Sequence, residues 1–238
     1  MPDAAIRDRL ALVLDLDDLV AAERLAKRLA PWFGVAKVGL ELFSAAGPEA
    51  VTTLRAAGYR VFLDVKLHDI PTTVNHAARV LGALGASYLT LHASGGPAML
   101  RAGVEGLASG ADAADLPAPI ALGVTVLTSE REAPAALFGE RLVLAVEAGC
   151  GGFVCAATEV HHGKLIAPRL VAVVPGIRLA GDPVHDQGRP ATPREAIDAG
   201  ADLLVVGRTV THADEPTAAA EAVHADITDG GAQTSATN

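Results

Sequence analysis

The 238 residues are half hydrophobic and one-fifth charged, enough apolar chain for one sizeable core and a length at which α/β barrels run as a single domain. A formal net charge of −9 opposes polyanions, so neither nucleic acid nor an anionic membrane is expected as a partner. No apolar run approaches the roughly 18–20 residues that span a bilayer, and the opening MPDAAIRDRL lacks the apolar centre of a secretory leader, so a cytoplasmic protein is expected.

In chain order, ALVLDLD (11–17) is the first buried β run and ends in acids. Asp17 and Asp18 read as caps of a helical pattern over 19–30, and Asp15 as the acid at the strand's end. GVAKVGL (34–40) is the second run, with Lys37 inside it, and a helix is expected over 43–57. The third run opens VFLDVKLHDIPTT (61–73). Residues i and i+2 of a strand share a face, so Asp64 and Lys66 project together. Burying an acid beside a base is costly unless the two pair or do chemistry. Asp69 follows, just ahead of Pro71 and a helix over 72–84.

SYLTLHA is the fourth run, closed by His92, which reads as a hydrogen-bonded barrel histidine. A helix over 97–108 leads to PIALGVTVL (119–127), followed by Thr128 and a helix over 134–148. GFVCAA, a helix over 158–166 and LVAVVPGI (170–177) come next, with Arg178 directly after. Residues 179–191, LAGDPVHDQGRPA, have no periodicity and read as a mobile lid containing Gln187. A helix over 193–199 precedes the eighth run, DLLVVGR, which ends in Gly207 and Arg208. A last helix covers 215–225, and residues 226–238 are expected to be a disordered tail.

Several helical patterns stop at Ala-Gly or Leu-Gly just before the next β run, as a left-handed glycine stops a helix. Eight alternating strand–helix units predict a (β/α)8 TIM barrel, a single α/β domain over residues 1–225. A doubly wound sheet would carry a Gly-rich fingerprint after its first strand, and VLDLDDLVAAE has none. Catalytic groups of such barrels sit at the C-terminal strand ends, where Asp15, Lys37, Asp64, Lys66, Asp69, Thr128, Arg178, Gln187, Gly207 and Arg208 collect. Cys150 and Cys155, with His161 and His162 nearby, match no usual zinc spacing and read as buried thiols and solvated helix residues.

LDVKLHDIPTTV resembles the signature of the orotidine 5′-phosphate decarboxylase family. LDLDD, AKVGLELF, LHASGG, VTVLTS, VPGIRLAGD, DQGR and DAGADLLVVGR continue the likeness over about residues 11–212. The stretch between Thr128 and Arg178 is shorter than in some relatives, and Glu130 is an unusually polar residue after LTS. The resemblance implies a homodimer without metal or other cofactor that converts orotidine 5′-monophosphate to uridine 5′-monophosphate, the last step of pyrimidine nucleotide synthesis. It implies a catalytic set of Lys37, Asp64, Lys66 and Asp69, with Lys66 stabilising and protonating the ring carbanion and Asp69 reaching into the neighbouring subunit. It also implies substrate contacts from Asp15 to the ribose, from Thr128 to the pyrimidine edge, and from Lys37, Ile70 and Thr73. Arg178, Gln187, Gly207 and Arg208 would hold the phosphate. Related barrels with a similar Asp-x-Lys-x-x-Asp act on sugar phosphates with magnesium, but the DIPTT tail and Gln187 point to the decarboxylase.

Overall fold

Short runs of Val, Leu, Ile and Ala, buried on both faces, have no stable place but a parallel sheet covered by helices. A computed structural model of the protein, which describes residues 2–127, 134–182 and 189–229, pairs them in chain order. The strands are β1 (Leu10–Val13), β2 (Val35–Gly39), β3 (Arg60–Leu67), β4 (Tyr88–His92), β5 (Ile120–Val124), β6 (Gly152–Val154), β7 (Val171–Val174) and β8 (Leu203–Val206). Each is parallel to its neighbour, and β8 closes on β1 through Leu12 opposite Val206, making the expected (β/α)8 barrel.

The helices outside it are α1 (Ala4–Arg7), α2 (Leu19–Leu29), α3 (Leu40–Ala46), α4 (Pro48–Ala56), α5 (Pro71–Ala83) and α6 (Gly96–Ala113), followed by α7 (Ala135–Glu147), α8 (Ala157–Ile166), α9 (Pro193–Asp198), α10 (Arg208–Thr211) and α11 (Pro216–Asp229). Asp18 caps α2, its Oδ1 accepting from the amides of Val20 at 2.8 Å and Ala21 at 3.2 Å. Among the described residues no helix is long and apolar enough to cross a membrane.

Strand alternation sorts the apolar residues into two cores. One set, including Ala11, Val35, Phe62, Tyr88, Leu122, Val173, Leu203 and Val205, fills the barrel. The larger set, including Leu10, Leu12, Val38, Leu63 and Leu89, lies between barrel and helices.

Several boundaries differ from the sequence reading. The helix expected over 43–57 is two helices, because Gly47 takes a φ of 57° and Pro48 begins a new one. The helix expected to end at 108 runs to Ala113, with Gly110 and Ala111 buried. α11 passes the expected boundary at 225 and reaches Asp229, since Ile227 packs on the core; residues 230–238 lie outside the described residues. β1 ends at Val13, so Asp15 stands in the segment beyond the strand and not at its last position.

α5 and α6 approach backbone to backbone. A Cβ at Gly106 would fall on the carbonyl oxygen of Asn75, one at Gly110 on that of Arg79, and one at Gly82 on that of Leu107. Gly110→Ala gains about 1 kcal/mol of helix propensity, but pushing two helices apart in a packed interface typically costs about 1–3 kcal/mol, and backbone does not yield as a side-chain tip does. The variant should melt a few degrees below the wild type; a raised melting temperature in a thermal scan would show that the helices separate freely.

Candidate active site

The interior alternation that fills the barrel with apolar side chains continues at its C-terminal end with polar ones. On β2, Val35 is followed two residues on by Lys37; on β3, Phe62 by Asp64; on β4, Tyr88 by Thr90. Lys37 and Thr90 are buried, and Lys37 pairs in register with Val13 and Phe62.

A chain of alternating charge results. Lys37 Nζ lies 3.2 Å from Asp15 Oδ1 and 3.4 Å from Asp64 Oδ2, and Lys66 Nζ lies 2.7 Å from Asp64 Oδ1. Simple i, i+2 alternation does not by itself place Lys66 there. Leu63 pairs with Leu89, but the next pair is Leu67 with Leu91, so β3 bulges by two residues against β4. Lys66 takes a φ of 48° within the bulge, a left-handed conformation that a non-glycine residue adopts only when its surroundings impose it. Its amide donates to Thr90 Oγ1 at 2.9 Å, and that hydroxyl lies 3.2 Å from Asp64 Oδ1.

Burial pushes the Asp64 carboxyl up, but the Lys37 and Lys66 ammonium groups and the hydrogen bonds from Lys66 and Thr90 outweigh it, and Asp64 ends below the ordinary carboxylate range. Asp15 and Lys66 are the more open members, with side chains 49% and 35% exposed against 13% for Asp64. Gly39 makes room for the pair beside it: a Cβ there would lie 2.5 Å from Asp15 Oδ1 and 3.0 Å from Lys37 Nζ.

These groups form one wall of a cavity of about 550 Å³ at the barrel's mouth, within the usual range for a small-molecule site. Arg178, Gly207 and Arg208 line it from the β7 and β8 ends, while Val13, Phe62, Val124, Val154 and Val205 make it apolar lower down. Arg178 is buried, its Nη1 donating to the Ile177 carbonyl at 2.7 Å, and Thr209 Oγ1 donates to the same carbonyl at 3.2 Å. The lining carries the cations Lys37, Lys66, Arg178 and Arg208 against the carboxylates Asp15, Asp64 and Glu41. An acidic protein therefore holds a locally cationic cavity, suited to an anionic ligand.

Not every expected site residue joins this group. Asp69, Ile70 and Thr73 are exposed and do not line the cavity; the Asp69 carboxylate accepts from the Ile70 amide at 2.6 Å. Thr128 and Gln187 lie outside the described residues, but the base of the segment carrying Gln187 is fastened, the Arg178 amide donating to Ala191 O at 2.9 Å. His92 Nδ1 lies 2.6 Å from Ser94 Oγ, and its ring stacks on His68 with centroids 5.3 Å apart. Cys150 and Cys155 are buried free thiols, and burial pushes Cys150 up to about 12. Among the described residues no three His, Cys, Asp or Glu side chains converge as a metal site. The sequence reading missed Thr90 and Gly39. The signal for Thr90 was available, since it follows interior Tyr88 by two residues.

Residues 8–223 match the family model described as the orotidine 5′-phosphate decarboxylase / HUMPS family. The chain belongs to this family. It is 46% identical over 233 residues to the orotidine 5′-phosphate decarboxylase of Moorella thermoacetica, covering 93% of this chain and 92% of that protein. Over 231 residues it is 46% identical to the enzyme of Anaeromyxobacter dehalogenans, covering 92% of this chain and 98% of the relative. The crystal structure of orotidine 5′-phosphate decarboxylase from Lactobacillus acidophilus superposes with a TM-score of 0.77 at 34% identity, over 93% of this chain and 100% of that one.

Because Asp64 is held below its unfolded value of about 4, it stabilises the fold fully above that value and ceases to do so as pH falls through the lower folded one. Asp64→Asn leaves Lys37 and Lys66 without their shared counter-charge, a loss on the order of 2 kcal/mol or more at neutral pH. The melting-temperature gap between wild type and variant should be full near pH 7 and shrink below pH ~4. A gap constant across that window would mean that Asp64 does not carry the charge.

Proposed function

We propose that this decarboxylase-family chain converts orotidine 5′-monophosphate to uridine 5′-monophosphate, the last step of pyrimidine nucleotide synthesis, with no metal or organic cofactor. One observation carries the reading: the Asp15–Lys37–Asp64–Lys66 chain of charge on one wall of a cavity whose β7 and β8 side offers Arg178 and Arg208. The names of the relatives support it.

Loss of carbon dioxide leaves an electron pair on a ring carbon with no adjacent electron sink, and enzymes supply about 8–23 kcal/mol or more against such barriers. A charge already in place costs no reorganisation when the carbanion forms. The Lys66 ammonium, fixed at 2.7 Å from Asp64 and partly open to the cavity, stabilises the carbanion and then donates the proton that completes uridine monophosphate. Asp64, kept ionised by two ammonium groups, faces the departing carboxylate and disfavours the bound substrate relative to the transition state. Phosphate held by Arg178, Arg208 and the Gly207 backbone, with Gln187, supplies binding energy remote from the reacting carbon and so offsets that cost. Asp15 takes the ribose and Thr128 the pyrimidine edge.

The working unit in this reading is a cytoplasmic homodimer. Ile70 and Leu40, 66% and 60% exposed, follow the C-terminal ends of β3 and β2, and in this reading the second copy packs at that end of the barrel. Asp69 then enters the partner's site, with Ile70 and Thr73 beside it.

A spectrophotometric assay on orotidine 5′-monophosphate should show turnover that EDTA leaves unchanged; loss on chelation, restored by magnesium, would move the chain to the sugar-phosphate branch. In the same assay Lys66→Ala should abolish turnover while uridine monophosphate affinity stays within about tenfold, since an interaction made mainly in the transition state lowers kcat preferentially. A variant keeping a tenth of wild-type turnover would remove Lys66 as the proton donor.

Mixing Asp69→Ala chains with Lys66→Ala chains should regenerate activity. One site of the heterodimer takes its lysine from the first chain and its aspartate from the second, and so is intact. No recovery in a verified heterodimer would rule out the shared site.

A further inference from the structure

We propose that Thr90 is a positioning residue whose single hydroxyl sets both the Lys66 backbone and the Asp64 carboxylate in their working geometry; this rests on the decarboxylase reading of the site. Thr90 is fully buried on β4, between Leu89 and Leu91, directly opposite the two-residue bulge of β3. The bulge takes Lys66 out of the regular ladder, and its amide finds the Thr90 oxygen at 2.9 Å. A part-buried amide left without an acceptor is costly, so the hydroxyl oxygen supports the left-handed turn at Lys66.

A hydroxyl has one proton to donate, and two acceptors lie near: Asp64 Oδ1 at 3.2 Å and the Leu63 carbonyl at 3.5 Å. The carboxylate is the nearer, and a bond to an ionised acceptor is the stronger. One oxygen thus accepts from the backbone of the lysine and donates to the carboxylate that holds the same lysine's ammonium at 2.7 Å. The loop closes from Thr90 through Lys66 N, down the lysine side chain to Nζ, and through Asp64 back to Thr90. Neither a methyl group, which lacks both functions, nor a pure donor or acceptor can replace it. Thr90 does not line the cavity, so its effect on the reaction passes through the two residues it holds.

The Ser and Ala variants at this position differ only by the hydroxyl, which makes them the decisive pair. Thr90→Ser should keep kcat within about threefold of wild type, while Thr90→Ala and the near-isosteric Thr90→Val should lose about tenfold or more, with uridine monophosphate affinity little changed. Asp64 also faces Lys37 and Lys66, which remain, so its carboxyl rises only in part when the Thr90 bond goes, and the acidic limb of kcat should move to higher pH in Ala and Val but not in Ser. Amide-hydrogen exchange at Lys66 should be faster in Thr90→Ala than in Thr90→Ser, a readout independent of turnover. Equal kcat, equal acidic limbs or equal Lys66 exchange in the Ser and Ala variants would overturn the positioning role. A wild-type protein inactive on orotidine 5′-monophosphate would instead refute the decarboxylase reading, with the Lys66 exchange comparison still deciding whether Thr90 positions that residue.

Discussion

A carboxylate placed between two ammonium groups at the end of an apolar barrel is the constraint on which the rest of this site depends. Alone, burial would push Asp64 toward its neutral form, and Lys37 would keep only the more exposed Asp15 as counter-charge. Beside Lys37 and Lys66, Asp64 stays below the ordinary carboxylate range, and Lys66 and Asp15 extend the pattern to the cavity surface. Each ion's desolvation cost is met by a neighbour of opposite sign, and the series ends where solvent or ligand can reach it.

The fold makes this arrangement possible by changing what its interior positions carry. Below, alternate residues of the strands fill the barrel with Val, Leu, Phe and Tyr and leave a rigid floor. One strand step higher the same alternation delivers Lys37, Asp64 and Thr90. Two local departures complete the set. Gly39 leaves the space that the Asp15–Lys37 pair occupies, and the bulge in β3 brings Lys66 over Asp64 at the expense of two ladder positions. Re-aiming a side chain by breaking a regular strand is a common use of bulges.

The barrel was legible because its evidence is local: buried β runs, helical patterns between them, and glycines at several helix ends. The helix break at Gly47 was not, since the apolar spacing from Leu42 to Leu54 runs on past it and Pro48 is as welcome at a helix start as it is harmful inside one. In the site, Asp64 and Lys66 stood out by their spacing, and the family resemblance assigned their roles. The way they meet could not be read from β3 alone, because the bulge is defined by the pairing with β4 and is held by Thr90, 24 residues further on. Asp69 is legible as an acid on an exposed loop, and the described cavity does not include it.

The state of the Asp64 carboxyl is the most direct test of this account, because every other group in the chain of charge is arranged around its ionised form. Carboxyl 13C labelling of aspartate, with Asp64→Asn used to assign the signal, follows that state through a pH titration of the folded protein. The account predicts a titration midpoint below 3.8, the ordinary aspartate value. A midpoint at or above that value would mean that burial prevails over the two lysines, and that the site is not built on a fixed negative charge.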